Sequence, residues 1–293
     1  MHGKSEFGRF HPIVNFIYFA AVIGFSMLIM HPLMQLIAFL SAFVYSVMLK
    51  GRKAAVFNLV VLLPLISVTA LMNPLFNHQG VTVIAYLPSG NAITMESVLY
   101  GISSGVMLAT VICIFSAFND VMTSDKIICL FGRIIPALSL AFSMTLRFVP
   151  RFNNQLSKVR SAQRNIGMDI SSGSMIKRAK NGLSIVSAMI TWSFENAIDT
   201  ADSMRSRGYG LSGRSSYSIY TFDRRDGVLI VLMSLAITVV IAGMATGYTD
   251  FTYFPKVEYA EFSEYSVGVI TAYFLLCMMP VIIEIKEALK WKN

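Results

Sequence analysis

Six stretches of this chain, residues 16–30, 33–49, 55–72, 95–118, 228–247 and 266–285, run almost without charge. A bilayer core about 30 Å thick is crossed by roughly 20 apolar helical residues, and each stretch approaches or meets that length. The remaining composition agrees: 55% of residues are hydrophobic, 14% are charged and the mean hydropathy is +0.62, too apolar for a soluble globule of 293 residues. The expected fold is an all-α integral membrane protein with about six transmembrane helices. The first two stretches are short and meet at His31 and Pro32, which predicts a tight helical hairpin that barely crosses. The first stretch has no small-residue cleavage site and is followed at once by another, so no signal peptide is expected.

Between the fourth and fifth stretches lies the longest polar segment. Three regions are therefore predicted: membrane helices one to four over 1–119, a cytoplasmic coupling domain over 120–226, and helices five and six over 227–293. Segment 120–226 holds 15 of the 24 Lys and Arg residues against eight acids. Lys4, Arg9, Lys50, Arg52, Lys53, Lys286, Lys290 and Lys292 fall on the same side of a six-span arrangement. Residues 73–94 contain no basic residue, and the loop carrying Asp250, Glu258, Glu261 and Glu264 is acidic apart from Lys256. By the positive-inside rule both termini and the large segment are cytoplasmic.

Two helical stripes run through the large segment. The first comprises Phe142, Leu146, Val149, Phe152, Leu156, Val159 and Gln163, with Arg147, Arg151, Lys158, Arg160 and Arg164 on its other face and Pro150 as a kink or a point of exit from the membrane. After a linker at Ser171–Ser174, the second comprises Leu183, Val186, Ile190, Phe194, Ala197, Ala201 and Met204, with Glu195, Asp199 and Asp202 on its polar side. These spacings predict two long, crossed amphipathic helices. Phe142, Leu146, Phe152, Leu156, Ile190 and Phe194 are expected to pack them together, and Asp199 or Asp202 could pair with Arg151 or Arg160. The helices end at glycines, in Arg164, Asn165, Ile166 and Gly167 and in Arg205, Ser206, Arg207 and Gly208. A cation at a helix C-terminus complements the macrodipole by about 0.3–1 kcal/mol, which accounts for any one of these arginines. Two such ends on one membrane protein point further, to docking in a partner's groove, since arginine offers a planar fork to carboxylates and carbonyls.

Other motifs carry less. Cys113, Cys129 and Cys277 are odd in number and sit in or beside apolar runs, which suggests packing and neither a disulfide framework nor a metal cluster. Gly101-Ile-Ser-Ser-Gly105 satisfies a nucleophile-elbow pattern, but His2, His11, His31 and His78 all fall near span ends or in loops, so a Gly-xxx-Gly packing face is the better reading. Gly208-Tyr209-Gly210 follows a basic helix with no pore-loop run around it, unlike a potassium filter. A secondary transporter or channel is the alternative function class, yet the span interiors lack the acids, histidines or lysines that ion coupling uses. No Gly-xxxx-Gly-Lys-Ser/Thr motif occurs, so energy must come from another chain. Lys177, Arg178 and Lys180 can contact lipid headgroups, and the dispersal of charge among acids argues against nucleic acid.

With these residues the chain resembles the transmembrane T component of energy-coupling factor transporters, the family that includes the membrane subunit of cobalt importers. Ser206, Arg207 and Gly208, followed by Tyr209, match the second of the family's two Ala-Arg-Gly-like coupling motifs. Ala162 to Gly167 resemble the first, with Ile166 in the arginine position. The resemblance implies a non-catalytic subunit of an ABC-type importer for vitamins or trace metals such as cobalt or nickel, in a prokaryotic cell membrane. It implies two cytoplasmic ATPase subunits that carry the ATP and magnesium, so that this chain binds no cofactor directly. It also implies a separate substrate-binding membrane subunit, the S component, to which ATP-driven movement of the helix ends is passed. The departure at Ile166 suggests that the two ATPases are not identical. Phe39, Phe43, Phe57 and Phe115 would face either the S component or lipid.

Overall fold

The computed structural model describes residues 5–86, 91–132, 135–211, 220–259 and 263–290. Among them are nine α-helices: α1 Pro12–Leu28, α2 Pro32–Lys50, α3 Arg52–Phe76, α4 Met95–Val121, α5 Ser124–Gly132, α6 Pro136–Asn165, α7 Met175–Ser206, α8 Arg224–Ala245 and α9 Glu264–Lys290. A short 3-10 helix, Phe7–Arg9, precedes them. Two small antiparallel hairpins, β1 Val83–Tyr86 with β2 Ala92–Thr94 and β3 Phe251–Thr252 with β4 Glu258–Tyr259, lie in the connections after α3 and α8.

Five helices, α2, α3, α4, α8 and α9, are long and apolar enough to cross a bilayer. Helix α1 is apolar too, but its 17 residues reach only about 26 Å at 1.5 Å per residue. Of the two helices expected to be short around His31 and Pro32, only α1 is, and α2 packs mainly on α4 and α9 instead of closing a tight hairpin with α1. Pro12 and Pro32 occupy the first helical positions of α1 and α2, where a missing N–H costs nothing because no intrahelical acceptor exists for it.

The chain forms two compact units, one of residues Met1–Ile127 with Tyr220–Asn293, the other of Ile128–Ile219. The first contains the spans. Its tightest seam is α3 against α4, where Gly101 and Gly105 let two backbones meet: a Cβ on Gly101 would lie 2.9 Å from the Thr69 carbonyl oxygen, and one on Gly105 3.0 Å from the Ile66 Cα. The Gly-xxx-Gly face expected from sequence is thus a helix-packing seam, the arrangement that small residues permit between membrane helices.

A second tie joins α1, α2 and α9. Pro280 inside α9 cannot donate to the helical ladder and loosens the turn before it. One turn earlier, the Cys277 carbonyl accepts the Tyr18 hydroxyl at 3.0 Å and the Ser41 hydroxyl at 2.5 Å. Cys113 and Cys277 are buried, in keeping with a packing role. At one end of this unit Phe7, fully buried, sits edge-on to Tyr18, Phe19 and Tyr45 with ring centroids 5.1–6.3 Å apart.

If backbone contact at the α3–α4 seam limits stability, Gly105→Ala should lower stability in detergent by about 1–3 kcal/mol. Gly24→Ala, whose added methyl would meet nothing within 4 Å, should leave the melting temperature unchanged or slightly raised. Thermal unfolding followed by circular dichroism separates the two outcomes.

Candidate functional site: two helix ends

The second unit is built on α6, of 30 residues, and α7, of 32. Helix α6 runs unbroken through Pro150. Ser174 caps α7, its hydroxyl accepting the Lys177 N–H at 3.4 Å, so the Ser- and Gly-containing linker ends where a helix N-cap is chemically favoured. The linker is also tied down. Asn181 donates to the Asp169 carbonyl at 3.0 Å and Arg178 to the Ile170 carbonyl at 2.7 Å.

The α6–α7 contact centres on Trp192, which stacks on Phe148 with centroids 5.5 Å apart and an interplanar angle of 23°, and also meets Phe152. On α7 the buried line is Asn181, Ile185 and Met189, continued by the half-buried Trp192 and Asn196. Of the residues expected from sequence to join the helices, Phe152 is in ring contact and Leu146 is half-buried. Phe142, Leu156, Ile190 and Phe194 are exposed, as are Leu183, Val186 and Ile198. At 100° per residue these α7 positions form a second apolar face, opposite the one turned to α6. The larger apolar stripe on α7 is therefore its outer face. The inner face carries an asparagine near each end, which disguises it when apolar residues alone are counted. No ion pair joins Asp199 or Asp202 to Arg151 or Arg160 among the described residues.

Both helix ends have the same backbone. At the first, Ile166 is the C-cap (φ −93°, ψ 13°), Gly167 has φ +81°, and the Met168 and Gly167 N–H groups donate to the Gln163 and Arg164 carbonyls at 2.9 and 3.1 Å. At the second, Arg207 is the C-cap (φ −82°, ψ 8°), Gly208 has φ +76°, and the Tyr209 and Gly208 N–H groups donate to Met204 and Arg205 at 3.0 and 2.9 Å. This pair of crossed bonds is the Schellman motif, which needs glycine where the backbone turns left-handed. Position by position, Arg164 corresponds to Arg205, Asn165 to Ser206, Ile166 to Arg207 and Met168 to Tyr209. A third copy closes α8 on Thr246, with Gly247 at φ +79° and the Tyr248 N–H on the Gly243 carbonyl at 3.0 Å.

The two ends differ in charge. Arg164 lies 3.7 Å from Asp169, whose carboxyl is held below its ordinary range chiefly by hydrogen bonds from the Ser171 hydroxyl and N–H. The C-cap beside it, Ile166, is apolar and 69% exposed. At the other end Arg205 and Arg207 are exposed and form no salt bridge among the described residues. One end presents an isoleucine with a partly neutralised arginine, the other two open guanidinium groups.

The fold is that of a multi-pass helical membrane protein with a two-helix polar unit inserted between α4 and α8. Residues 8–217 match the cobalt transport protein family, CbiQ, and the chain belongs to that family. The match begins at the N-terminal 3-10 helix, passes through both helix ends and stops before α8. Among curated relatives, the energy-coupling factor transporter transmembrane protein EcfT of Lactobacillus helveticus (strain DPC 4571) is 36% identical over 111 residues, 38% of each chain. The EcfT of Acidaminococcus fermentans is 31% identical over 166 residues, 53% of this chain and 62% of that one. The EcfT of Ruminiclostridium cellulolyticum is 29% identical over 197 residues, 64% and 73% of the two chains. The chain spans 38% of the Lactobacillus helveticus protein's length and 36% of the Lactococcus lactis one.

Trp192→Ala should remove the stacking contact and loosen α6 from α7 by about 2–3 kcal/mol, whereas Phe194→Ser, on the outer face, should stay within about 0.5 kcal/mol. Amide exchange over 148–159 and 185–196 measures both. Equal loss of protection in the two variants would overturn the distinction between inner and outer faces, and greater loss in Phe194→Ser would reverse it.

Proposed function

We propose that this chain is the transmembrane coupling subunit, the T component, of an energy-coupling factor importer for vitamins or trace metals in a prokaryotic plasma membrane. Its two capped ends, Arg164 to Gly167 and Arg205 to Gly208, dock on two cytoplasmic ABC-type ATPases. The observation that carries this reading is the identical Schellman geometry of the two ends, which presents equivalent side chains at the tips of two long helices joined by the Trp192 stack. The chain itself hydrolyses nothing and binds no cofactor; ATP and magnesium belong to the ATPases. Both termini lie on the cytoplasmic side with the coupling unit.

The tips favour different seats. Arg205 and Arg207 suit a groove lined by carboxylates or carbonyls, and Ile166 with Met168 suits an apolar one, so the ATPases are a non-identical pair. When ATP draws them together, the tips move with them. The motion reaches the spans and, through them, a separate substrate-binding membrane subunit. Packed helix interfaces shift between discrete arrangements and do not yield smoothly, which suits the stacked α6–α7 pair to carrying a displacement.

Charge-assisted hydrogen bonds are worth about 1.5–3 kcal/mol, so Arg207→Glu should weaken capture of one ATPase on the order of tenfold to a hundredfold while membrane insertion stays intact. Ile166→Glu should weaken capture of the other. Titration of each purified ATPase against the tagged chain reads the two effects separately. Undiminished capture by both variants overturns tip docking, and gradient-driven solute uptake into liposomes by the chain alone would overturn the coupling role itself.

A further inference from the structure

The chain leaves the membrane unit at Ile127 and re-enters it at Tyr220, and one N-terminal segment is bonded close to both crossings. On the outgoing side is Lys126. Its side chain is 5% exposed, and its ammonium donates to the Gly8 carbonyl and, at 2.8 Å, to the Val121 carbonyl at the end of α4. With the Asn15 amide oriented to satisfy its neighbours, Asn15 Oδ1 becomes a third acceptor for Lys126 at 2.9 Å, and Nδ2 donates to the Phe7 carbonyl at 2.9 Å. On the returning side, the His11 N–H donates to Asp226 Oδ1 at 2.9 Å, while Asp226 Oδ2 accepts the Asp223 N–H at 2.9 Å and so closes the capping box of α8. Phe222, just before α8, meets the His11 ring edge-on at 5.6 Å. A third anchor comes from α9, where Glu284 accepts the Phe7 N–H at 3.3 Å and the Ser5 hydroxyl.

Residues 5–11 therefore touch the outgoing crossing, the returning crossing and the last span within seven residues, around a phenylalanine with no exposed surface. A buried lysine facing carbonyl and amide oxygens, with no salt bridge to a carboxylate among the described residues, is a costly choice. Burial lowers its pKa from 10.5 to about 8. A methionine would fill the space without that penalty. The ammonium holds two pieces of backbone, Gly8 and Val121, that share no element. Fastening of this kind is what force entering through two separate strands requires: unless both are secured to the same body, displacement of the polar unit is absorbed by slack at the crossings.

We propose that residues 5–11, with Lys126, Asp226 and Glu284, are a clasp that fastens both crossings to the span bundle, so that motion of the coupling unit is delivered to the membrane helices. These side chains are positioning residues and touch neither ATPase nor cargo. The inference rests on the coupling role proposed above.

The test uses the complex purified from membranes through the tagged full chain, with amide exchange recorded with and without a non-hydrolysable ATP analogue. In the wild type, the analogue should change exchange in 136–206 and also in the cytoplasmic turns of the spans, 12–18, 224–230 and 281–287. In Lys126→Met, which keeps the bulk, and in Asp226→Asn, which keeps the shape and loses one acceptor, the change in 136–206 should persist. The change in the span turns should fall about tenfold, the scale of an ordinary coupling free energy. A nucleotide response that reaches the spans undiminished in both variants overturns the clasp. Absence of any nucleotide response at 136–206 in the wild type overturns the coupling role instead, so the two failures are distinct. Ser67→Ala, on the exposed side of α3, serves as the control and should respond as the wild type does.

Discussion

A lipid interior offers no hydrogen bonds, and this single lack governs how the spans are built and joined. Every backbone group inside it must be paired within the protein, so the apolar runs are helices and irregular backbone is confined to the connections. The same lack removes the hydrophobic force between helices and leaves close packing and hydroxyl bridges to hold them. Gly101 and Gly105 supply the first at the α3–α4 seam. Tyr18 and Ser41, converging on the Cys277 carbonyl in front of Pro280, supply the second. Outside the spans, where water competes, the chain turns to charge and helix caps.

Much of this was legible in the residues. Charge-free runs located the spans to within a few residues because length and apolarity are what the bilayer tests. The glycine endings of α6 and α7 were legible because only glycine relieves the left-handed turn. The helix–helix contact of the polar unit was not. Its inner face on α7 is interrupted by Asn181 and Asn196, and its strongest contact is a single tryptophan against Phe148. The outer face, with Leu183, Val186, Ile190 and Phe194, has the cleaner periodicity. A helix with two apolar faces gives one hydrophobic pattern in sequence, and nothing in that pattern says which face meets its neighbour in the same chain.

Helix α5 and the N-terminal 3-10 turn escaped sequence reading for a related cause. Both are short, and both are held by partners outside their own elements: Lys126 by the distant Gly8, Phe7 by aromatic rings on α1 and α2. Local propensity records neither. A lysine beside the end of a span reads as a solvated positive-inside charge, and only its neighbours reveal that it is enclosed.

The closing turn of α8 uses the same crossed hydrogen bonds as the ends of α6 and α7, with Thr246 where they have Ile166 and Arg207. Because the backbone of that turn is indifferent to the side chain preceding its glycine, the chemistry offered at a tip can be rewritten by one codon without disturbing the helix beneath. Such a protein can acquire new binding preferences one end at a time, keeping its scaffold while its fittings diverge.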